Sequence, residues 1–242
     1  TARRVVRRHR PDVIFSSAPP YSAHLVAERL QRRFGIPWVA DFRDPWLENH
    51  AYNTVPRLGV VKALNRRLER RVLKGAERVT AANPGLCELL EAKLPSEERD
   101  KCVTITNGYD PEDLRAPQPR QDVFLVSYFG TVYGKGFPMS LFNAVRHLAE
   151  RDEGFARAVR LRIVGEVHRG VRQAVDEMFD DERLSVRPYV PHSEMLDLLA
   201  ETQVLTLVIN DFPHNTATVP GKLYEYLPTG NPILAVGPPK GD

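Results

Sequence analysis

The chain has 242 residues, of which 42% are apolar, and its formal net charge is +3. This length and composition suit one large globular domain or two modest ones, and they exclude a chain too polar to build a core. Two cysteines are too few for a disulfide framework and lack metal-ligand spacing, so a reducing cytoplasm is expected. No apolar run reaches transmembrane length, and no signal peptide is visible.

Positive charge is distributed unevenly along the chain. The segment Thr1–Arg10 holds five arginines and no acidic residue, and a second basic run extends from Arg57 to Lys74. Basic helices of this kind serve nucleic acid or an anionic membrane surface, and many are ordinary solvated helix faces. Because neither zinc-finger spacing nor a helix-turn-helix signature accompanies them, we expect no nucleic-acid partner and leave peripheral membrane contact open.

Short apolar runs and amphipathic segments alternate in the first half of the chain and predict strands and helices in turn. Gly35 is expected to stop a helix because glycine readily adopts the left-handed conformation that ends helices. The predicted strands are Asp12–Phe15, Trp38–Ala40, Arg78–Ala82 and Val103–Ile105. The predicted helices are Thr1–His9, Tyr21–Phe34, Leu58–Lys74 and Pro84–Lys93, and the predicted strand-end loops are Ser16–Pro20 and Asp41–Trp46.

Composition changes between Ala116 and Gln121, where two prolines fall in a stretch without periodicity. We predict a linker at 116–121, between a domain of residues 1–115 and a domain of residues 122–242. The second series of predicted strands is Val123–Phe129, Leu161–Val164, Leu184–Val190, Val204–Ile209 and Ile233–Val236. The predicted helices between them are Pro138–Glu150, His168–Phe179, Ser193–Glu201 and one that begins at Gly221.

Strands that alternate with helices of this length are typical of parallel sheets covered by helices. The sequence therefore predicts an α/β fold of two Rossmann-like parallel βαβ units that face a cleft. Ligands of such sheets bind at the carboxyl ends of the strands, so functional side chains are expected in the strand-end loops.

Lys222 and Glu225 are three residues apart at the start of the last predicted helix and should share one face of it. Free backbone N–H groups and the helix dipole favour an anion there, and a carboxylate can accept hydrogen bonds from a vicinal diol. The two side chains therefore suit a diphosphate attached to a ribose. The alternative is a solvated Lys/Glu pair on an amphipathic helix.

Further loops are expected at the same edge of the second sheet. Gly130 and Thr131 follow its first strand, and glycines there permit close backbone approach to a phosphate, to which Lys135 would add charge. The alternative is a glycine-rich connector. Gly165 ends the next strand, and Tyr189 and Val190 end the one after, where the main chain could read a base edge and the tyrosine could stack on it.

In the first unit, Asp41, Arg43 and Asp44 cluster in one strand-end loop. Two carboxylates with an arginine between them could position an acceptor hydroxyl or stabilise charge, and a buried Arg/Asp pair that only fixes the loop is the alternative. His24 on the following helix is a further catalytic candidate, against the alternative of a surface histidine with satisfied hydrogen bonds.

These residues together resemble the retaining glycosyltransferases of the GT-B fold, in particular family 4-like enzymes that build bacterial surface polysaccharides. The motifs that carry the resemblance are Pro11–Ile14, Asp41–Trp46, Ile105–Asp110, Phe129–Gly130, Leu161–Gly165, Lys222–Tyr226 and Gly230–Ala235. The set covers nearly the whole chain. Glu225 matches the second glutamate of the family's E-x7-E motif, whose first glutamate is replaced here by Ala217, and the arginine usual after Gly130 is replaced by Thr131.

The resemblance implies transfer of a sugar, with retention and without a required metal or other cofactor, from a nucleoside-diphosphate donor to a hydroxyl acceptor. Gly130, Thr131, Lys135, Gly165, Tyr189, Val190, Val219, Lys222 and Glu225 would contact the donor, and Asp41, Arg43, Asp44 and His24 would serve catalysis on the acceptor side. The acceptor would be a saccharide or a lipid-linked saccharide, handled in the cytoplasm or at the inner face of the membrane.

Two other functions stay open. One is a binding module that keeps the fold without turnover, and the other is a nucleotide-sugar epimerase of related architecture, which would need no acceptor. Members of the family begin with a strand and a glycine-rich turn and continue into further βα units and a returning helix. We therefore expect an internal segment in which both Rossmann-like units are incomplete.

Overall fold

A computed structural model describes residues 2–49, 57–133, 139–180, 182–209 and 219–237. The chain divides into two compact units. Among the described residues, the first comprises residues 2–107 together with Val219, and the second comprises the other residues from Gly108 onward. The linker proposed at 116–121 stays a prediction. Two of its backbone N–H groups, from Gln118 and Arg120, donate to the carbonyl oxygens of Ala200 and Glu201 at 2.8 and 3.1 Å, so hydrogen bonds tie this stretch to the second unit.

The first unit is built on a four-stranded parallel sheet whose strands lie in chain order. The strands are β1 (Ile14–Ala18), β2 (Trp38–Phe42), β3 (Arg78–Ala81) and β4 (Cys102–Thr104). The helices are α1 (Ala2–His9), α2 (Ser22–Phe34), α3 (Gly59–Gly75) and α4 (Pro84–Glu91), and short 3₁₀ turns cover Ser96–Lys101 in this unit and Pro111–Asp113 in the next. The alternation predicted from the sequence is confirmed for every one of these strands and helices.

Two helix ends in this unit follow from local chemistry. Gly35 adopts a left-handed φ of 67°, and its N–H donates to the carbonyl of Gln31 at 2.8 Å, so it ends α2 as expected. Asn83 caps α4, because its side-chain oxygen accepts a 2.7 Å hydrogen bond from the N–H of Leu86.

The first strand differs from its prediction. Strand β1 begins at Ile14 and continues through Ser16 and Ala18, which are buried, whereas Phe15 is exposed. The predicted strand Asp12–Phe15 and loop Ser16–Pro20 are therefore wrong in position by two to three residues. The hydropathy pattern misplaced the strand because its buried residues, Ser16 and Ala18, are polar or small. The buried hydroxyl of Ser16 is stabilised by hydrogen bonds with His24 and Trp38. Likewise, Asp41 and Phe42 belong to β2 and not to the loop after it.

The second unit contains a five-stranded parallel sheet in the order β7-β6-β5-β8-β9. Its strands are β5 (Phe124–Phe129), β6 (Val159–Val164), β7 (Leu184–Arg187), β8 (Val204–Val208) and β9 (Ile233–Val236). Its helices are α5 (Ser140–Arg151), α6 (Glu153–Ala158), α7 (Arg169–Asp176), α8 (His192–Ala200) and α9 (Lys222–Tyr226). The chain adds strands on one side of β5 and then on the other, so the strand order reverses beside β5, where ligands of open α/β sheets bind.

The sheet of the second unit is buried on both faces. Tyr128 and Ile163 pack in one apolar cluster, and their neighbours Phe129 and Val164 pack in another. Since successive side chains of a strand point to opposite faces, the two clusters lie on opposite sides of the sheet.

Helix α6 was not predicted, because six residues are too few for a periodic pattern. Its start is marked by Asp152, whose carboxylate accepts a hydrogen bond from the N–H of Phe155 at 2.9 Å. Within the residues described, no helix has the length and apolar character needed to cross a bilayer.

Candidate functional site

A pocket of about 370 Å³ opens at the carboxyl ends of the central strands of the second unit. Loops that follow β5, β6 and β7 contribute to it, together with the short helix α9. Its lining residues are Phe129, Gly130, Thr131, Tyr133, Val164, Gly165, Glu166, Tyr189, Val190, Met195, Lys222 and Glu225. The convergence of strand-end loops expected from the sequence is therefore present, at the position where the strand order reverses.

Two glycines form the base of the pocket where β5 and β6 end. Gly130 and Gly165 have φ angles of 123° and 134°, which side-chain-bearing residues rarely adopt. A Cβ atom on Gly165 would lie 2.5 Å from the carbonyl oxygen of Gly130, and one on Gly130 would overlap the ammonium end of Lys222. The N–H of Gly130 also donates to the carbonyl of Val164 at 2.7 Å. Backbone conformation therefore favours glycine at both positions, and at Gly165 the backbone of Gly130 also leaves no room for a side chain.

Lys222 is half-buried against the base of the pocket. Its Nζ donates a 3.0 Å hydrogen bond to the hydroxyl of Tyr128 and lies 4.5 Å from the centre of that ring. Burial lowers the pKa of the Lys222 ammonium, and the carboxylate of Glu225 opposes this shift. Among the described residues no ion pair joins Lys222 to Glu225. Lys222 is therefore a partly desolvated cation that is hydrogen-bonded to Tyr128 at the pocket, and it is not part of a solvated Lys/Glu ion pair.

Tyr128 connects this cation to the loop after β5. Its hydroxyl donates to the carbonyl oxygen of Thr131 at 3.1 Å while accepting from Lys222. Burial, with a smaller contribution from Tyr133, raises the pKa of Tyr128 to about 12, so the ring stays neutral and keeps its proton as a donor. The contact between Tyr128 and Lys222 joins positions 94 residues apart and was not predicted from the sequence.

The helix that carries Lys222 and Glu225 is short. Helix α9 spans only Lys222–Tyr226 and passes into a 3₁₀ turn at Leu227–Thr229, and Gly230 then adopts a left-handed φ of 69°. Five residues align few peptide dipoles, so the anion-favouring helix end proposed from the sequence contributes little here. The positive charge on this wall of the pocket is mainly that of Lys222.

Several other lining residues are apolar or aromatic, and one of them has a highly exposed ring. Tyr189 is 79% exposed, while Val190 beside it is buried. Met195 and Tyr133 also line the pocket. An exposed aromatic ring can stack on a planar base, and stacking of a base on Tyr189 stays a prediction.

The predicted donor residues have different outcomes. Gly130, Thr131, Gly165, Tyr189, Val190, Lys222 and Glu225 all line the pocket. Val219 is described but does not line it and groups with the first unit, and Lys135 lies outside the described residues. Five other residues that line the pocket were not predicted as site residues: Phe129, Tyr133, Val164, Glu166 and Met195. Glu166 could have been predicted from the sequence, since it directly follows Gly165 at the end of a strand.

In the first unit, Asp41 connects three adjacent strands. It lies level with Ser17 of β1 and Thr80 of β3 in the strand register. The hydroxyls of Ser17 and Thr80 donate to its carboxylate at 2.6 and 2.7 Å, and Arg43 donates at 3.2 Å. Asp41 is 6% exposed. Because three donors bind this one buried carboxylate, the structure favours the alternative in which the Asp41/Arg43 pair stabilises the end of the strand.

Arg43 and Asp44 extend from this anchored row. Arg43 also donates to the carbonyl of Ile105 at 3.2 Å and to the side-chain oxygen of Asn107, so it ties the end of β2 to the segment after β4. The Asp44 carboxylate accepts no hydrogen bond from the described residues, and burial raises its pKa against the influence of Arg43. Asp44 is therefore the carboxyl group of this loop that stays available to a ligand.

His24 lies in the core of the first unit and is fully buried, so the surface position considered from the sequence is wrong. Its Nδ1 lies 2.8 Å from the hydroxyl of Ser16, which also accepts from the indole N–H of Trp38 at 2.8 Å. Its Nε2 is buried without a hydrogen-bond partner among the described residues. Burial lowers the pKa of His24 to about 4, so the ring is neutral at physiological pH.

The two cysteines come together in the same unit. The Sγ atoms of Cys87 and Cys102 are 2.9 Å apart, both residues are buried, and Glu91 lies beside them. Their separation of fifteen positions in the sequence gave no recognisable metal-ligand spacing, so the sequence analysis missed this cluster.

Comparison with known proteins gives one family-model match in the first part of the chain and several similar folds. Residues 1–108 match the family model for the glycosyl transferase 4-like domain. The structure is similar to sucrose-phosphate synthase from Thermosynechococcus elongatus, with a TM-score of 0.69 and 13% identity over 97% of this chain and 58% of that one. It is also similar to the lipopolysaccharide outer core galactosyltransferase WaaB, with a TM-score of 0.62 and 14% identity over 96% of this chain and 58% of that one.

A putative UDP-N-acetylglucosamine 2-epimerase from Listeria monocytogenes is similar as well, with a TM-score of 0.55 and 15% identity over 96% of this chain and 59% of that one. No curated protein sequence matches the chain significantly. The chain thus spans less than two thirds of the length of these structures. The two units are the Rossmann-like halves of the GT-B fold, which confirms the predicted fold class.

Proposed function

We propose that this chain, which carries a glycosyl transferase 4-like domain over residues 1–108, transfers a sugar from a nucleoside-diphosphate donor to a hydroxyl acceptor. The observation that carries the proposal is the pocket of the second unit, where the cation of Lys222 and the carboxylate of Glu225 line one space at the carboxyl ends of β5 and β6. A single ligand with a diphosphate, a vicinal diol and a planar base would satisfy the cation, the carboxylate and the exposed ring of Tyr189.

Lys222 is the group proposed to act on the leaving diphosphate. In the reaction the bond between the sugar C1 and the diphosphate oxygen breaks, a bond from C1 to the acceptor oxygen forms, and the acceptor proton is released. Negative charge then increases on the diphosphate, and a fixed ammonium in a partly desolvated site stabilises it more strongly than water does. The hydrogen bond to Tyr128 positions the ammonium before substrate binds.

Glu225 is proposed to hold the donor ribose by accepting hydrogen bonds from its hydroxyl groups, and the Gly130 and Gly165 turns would admit the phosphates. In the first unit we assign Asp44 to the acceptor hydroxyl, because its carboxylate has no hydrogen-bond partner among the described residues. Asp41 and Arg43 would position the strand end that carries it. His24, neutral and buried, would support this region from the core and not contact substrate.

We further propose that the transfer proceeds with retention at C1, without a required metal, and serves the synthesis of surface polysaccharide or glycolipid. These statements follow from the motif resemblance. Proton NMR of the first-formed product distinguishes retention from inversion by its anomeric coupling. Addition of EDTA is expected to leave the rate unchanged, and a loss of rate that Mg²⁺ or Mn²⁺ restores would contradict metal independence.

The first test is a thermal-shift screen of UDP, GDP, ADP and dTDP, because a ligand that binds only the folded protein raises its melting temperature. One of the four is expected to stabilise the protein, and no shift with any of them would overturn the proposal. Nucleoside-diphosphate release is then measured from the matching nucleotide-sugar with and without a hydroxyl acceptor. Acceptor-dependent release indicates transfer, epimerised donor without acceptor indicates an epimerase, and binding without either product indicates a binding module.

A further inference from the structure

The first turns of α3 present an apolar surface to solvent. Leu58, just before the helix, is 74% exposed, Val60 is 72% exposed and Leu64 is 55% exposed. Val60 and Leu64 are four residues apart and lie on one face of the helix. The buried residues of α3 are all in its second half, namely Glu69, Val72 and Leu73. The helix is therefore attached to the first unit mainly by its C-terminal half, while its N-terminal half exposes aliphatic side chains to solvent.

The exposed charged residues in this part of α3 are all basic. Lys62, Arg66, Arg67 and Arg70 are exposed on the same helix and form no ion pair within the described part of the chain. The only acidic residue of α3 is Glu69, which is buried and accepts a 2.8 Å salt bridge from Lys93. The exposed surface of α3 thus combines aliphatic groups at one end with at least four unopposed cations.

Helix α1 of the same unit also has an exposed basic surface. Its four arginines are exposed, it contains no acidic residue, and Val6 is its buried side chain. A unit with two such helices has a strongly positive local potential, although the net charge of the whole chain is only +3.

We propose that the exposed turns of α3, Leu58 to Arg70, form a docking surface for an anionic lipid bilayer. Leu58, Val60 and Leu64 would enter the boundary between headgroups and acyl chains, and Lys62, Arg66, Arg67 and Arg70 would contact lipid phosphates. Interfacial helices combine an apolar patch with a basic polar surface in this way.

The composition of the surface favours lipid over other anionic partners. Nucleic acid is bound by cations together with aromatic rings or base-reading polar groups, and aliphatic side chains at 55 to 74% exposure add nothing to phosphate recognition. A bilayer uses both features, since the aliphatic groups lose contact with water and the cations meet the headgroups. The inference does not depend on the donor pocket, which belongs to the second unit, so either can fail without the other.

The test is co-sedimentation with vesicles of phosphatidylcholine alone and of phosphatidylcholine mixed with phosphatidylglycerol. An apolar triple variant replaces Leu58, Val60 and Leu64 by Ser, and a charge triple variant replaces Arg66, Arg67 and Arg70 by Gln. A matched control replaces by Ser three exposed aliphatic residues outside this helix, Val13, Leu114 and Leu148. Thermal unfolding of every variant shows that it folds, and nucleoside-diphosphate binding shows that the second unit is intact.

The protein is expected to bind the mixed vesicles and to bind phosphatidylcholine much more weakly. The charge variant should lose about fivefold in partition for each cation removed. The apolar variant should lose on the order of tenfold or more while its charge is unchanged, and the control should bind like the parent. Absence of binding to mixed vesicles would overturn the proposal, and so would an apolar variant that binds as well as the parent. Stronger binding to single-stranded RNA than to mixed vesicles would assign the surface to nucleic acid instead.

A second measurement places the helix in the bilayer directly. A Leu64→Trp variant is titrated with vesicles that contain brominated acyl chains, and the parent protein provides the signal of its two buried tryptophans, Trp38 and Trp46. Quenching of the added fluorescence is expected because the indole would lie at acyl-chain depth. Unquenched fluorescence of vesicle-bound protein would contradict insertion of this helix.

Discussion

Replacement of Lys222 by Met removes the ammonium from the pocket but keeps most of the side chain's length and bulk. In the free protein this change has opposing effects on the free energy of unfolding. The variant loses the 3.0 Å hydrogen bond to Tyr128 and the attraction of the cation to its ring, each worth about 0.5–2 kcal/mol. It also relieves the desolvation that lowers the pKa of Lys222. We therefore expect stability to change by no more than about 1 kcal/mol.

Binding of a nucleoside diphosphate should change far more. A hydrogen bond between a charged donor and a phosphate contributes about 1.5–3 kcal/mol, which corresponds to a loss of about 10- to 100-fold in affinity. Because Lys222 is already partly desolvated before the ligand arrives, we expect the upper half of this range. The affinity of the parent protein should also fall as pH rises through the lowered pKa of Lys222, since binding then requires the ammonium to regain its proton, and the variant should lack this dependence.

Isothermal titration calorimetry of the best-binding nucleoside diphosphate measures these affinities, and urea unfolding measures the stability of the same samples. Arg146→Met is the matched control, because it removes an exposed cation from α5 of the same unit. It should leave the affinity unchanged. The reasoning is refuted if Lys222→Met binds as tightly as the parent, or if its loss of affinity is accompanied by a comparable loss of folding stability.

Three further predictions concern other parts of the molecule. Tyr128→Phe keeps the ring but frees Lys222 from its hydroxyl, so nucleoside-diphosphate affinity should fall by about 3- to 10-fold in calorimetry; an unchanged value would mean that Tyr128 does not position Lys222. Asp41→Asn places an amide among three donors and should lower the free energy of unfolding in urea by about 2–4 kcal/mol, and a loss below about 1 kcal/mol would count against an anchoring role. Because the pKa of His24 is lowered from 6.5 to about 4, its contribution to stability is complete above pH 6.5 and is lost as pH falls towards 4. In urea unfolding, the parent protein should lose up to about 3 kcal/mol of unfolding free energy over this pH range because His24 must be protonated, and His24→Gln should not show this loss. The same dependence of stability on pH in the variant and the parent would contradict the prediction.

The site in the second unit was largely predictable because parallel α/β sheets follow a positional rule. Once alternating strands and helices were recognised, Gly130 and Gly165 were assigned to the ends of neighbouring strands, and both line the pocket at one edge of the sheet. What the pattern could not give was the side-chain contacts within that edge. The hydrogen bond from Lys222 to Tyr128 depends on how α9 lies against β5. It shows that the Lys222 ammonium is partly desolvated at the pocket and not part of a solvated Lys/Glu pair.

The errors in the first unit have a common physical cause. Strand β1 turns Ser16 inward and Phe15 outward, and the buried hydroxyl is stabilised by Trp38 and His24. Hydropathy patterns assign polar residues to loops, so they fail where a polar side chain finds its partners inside the core. The same holds for Asp41, which was assigned to a loop and instead belongs to the sheet.

The most direct test of the donor site is photolabelling with an azido-base analogue of the nucleoside diphosphate that binds best. If the base stacks beside Tyr189, the label should be recovered on the peptide that contains Tyr189 and Val190, which line the pocket. An excess of the unmodified nucleotide should suppress it, and labelling should weaken in Lys222→Met. Recovery of the competed label on a peptide of the first unit, residues 2–107, would contradict the assignment of the donor to the second unit.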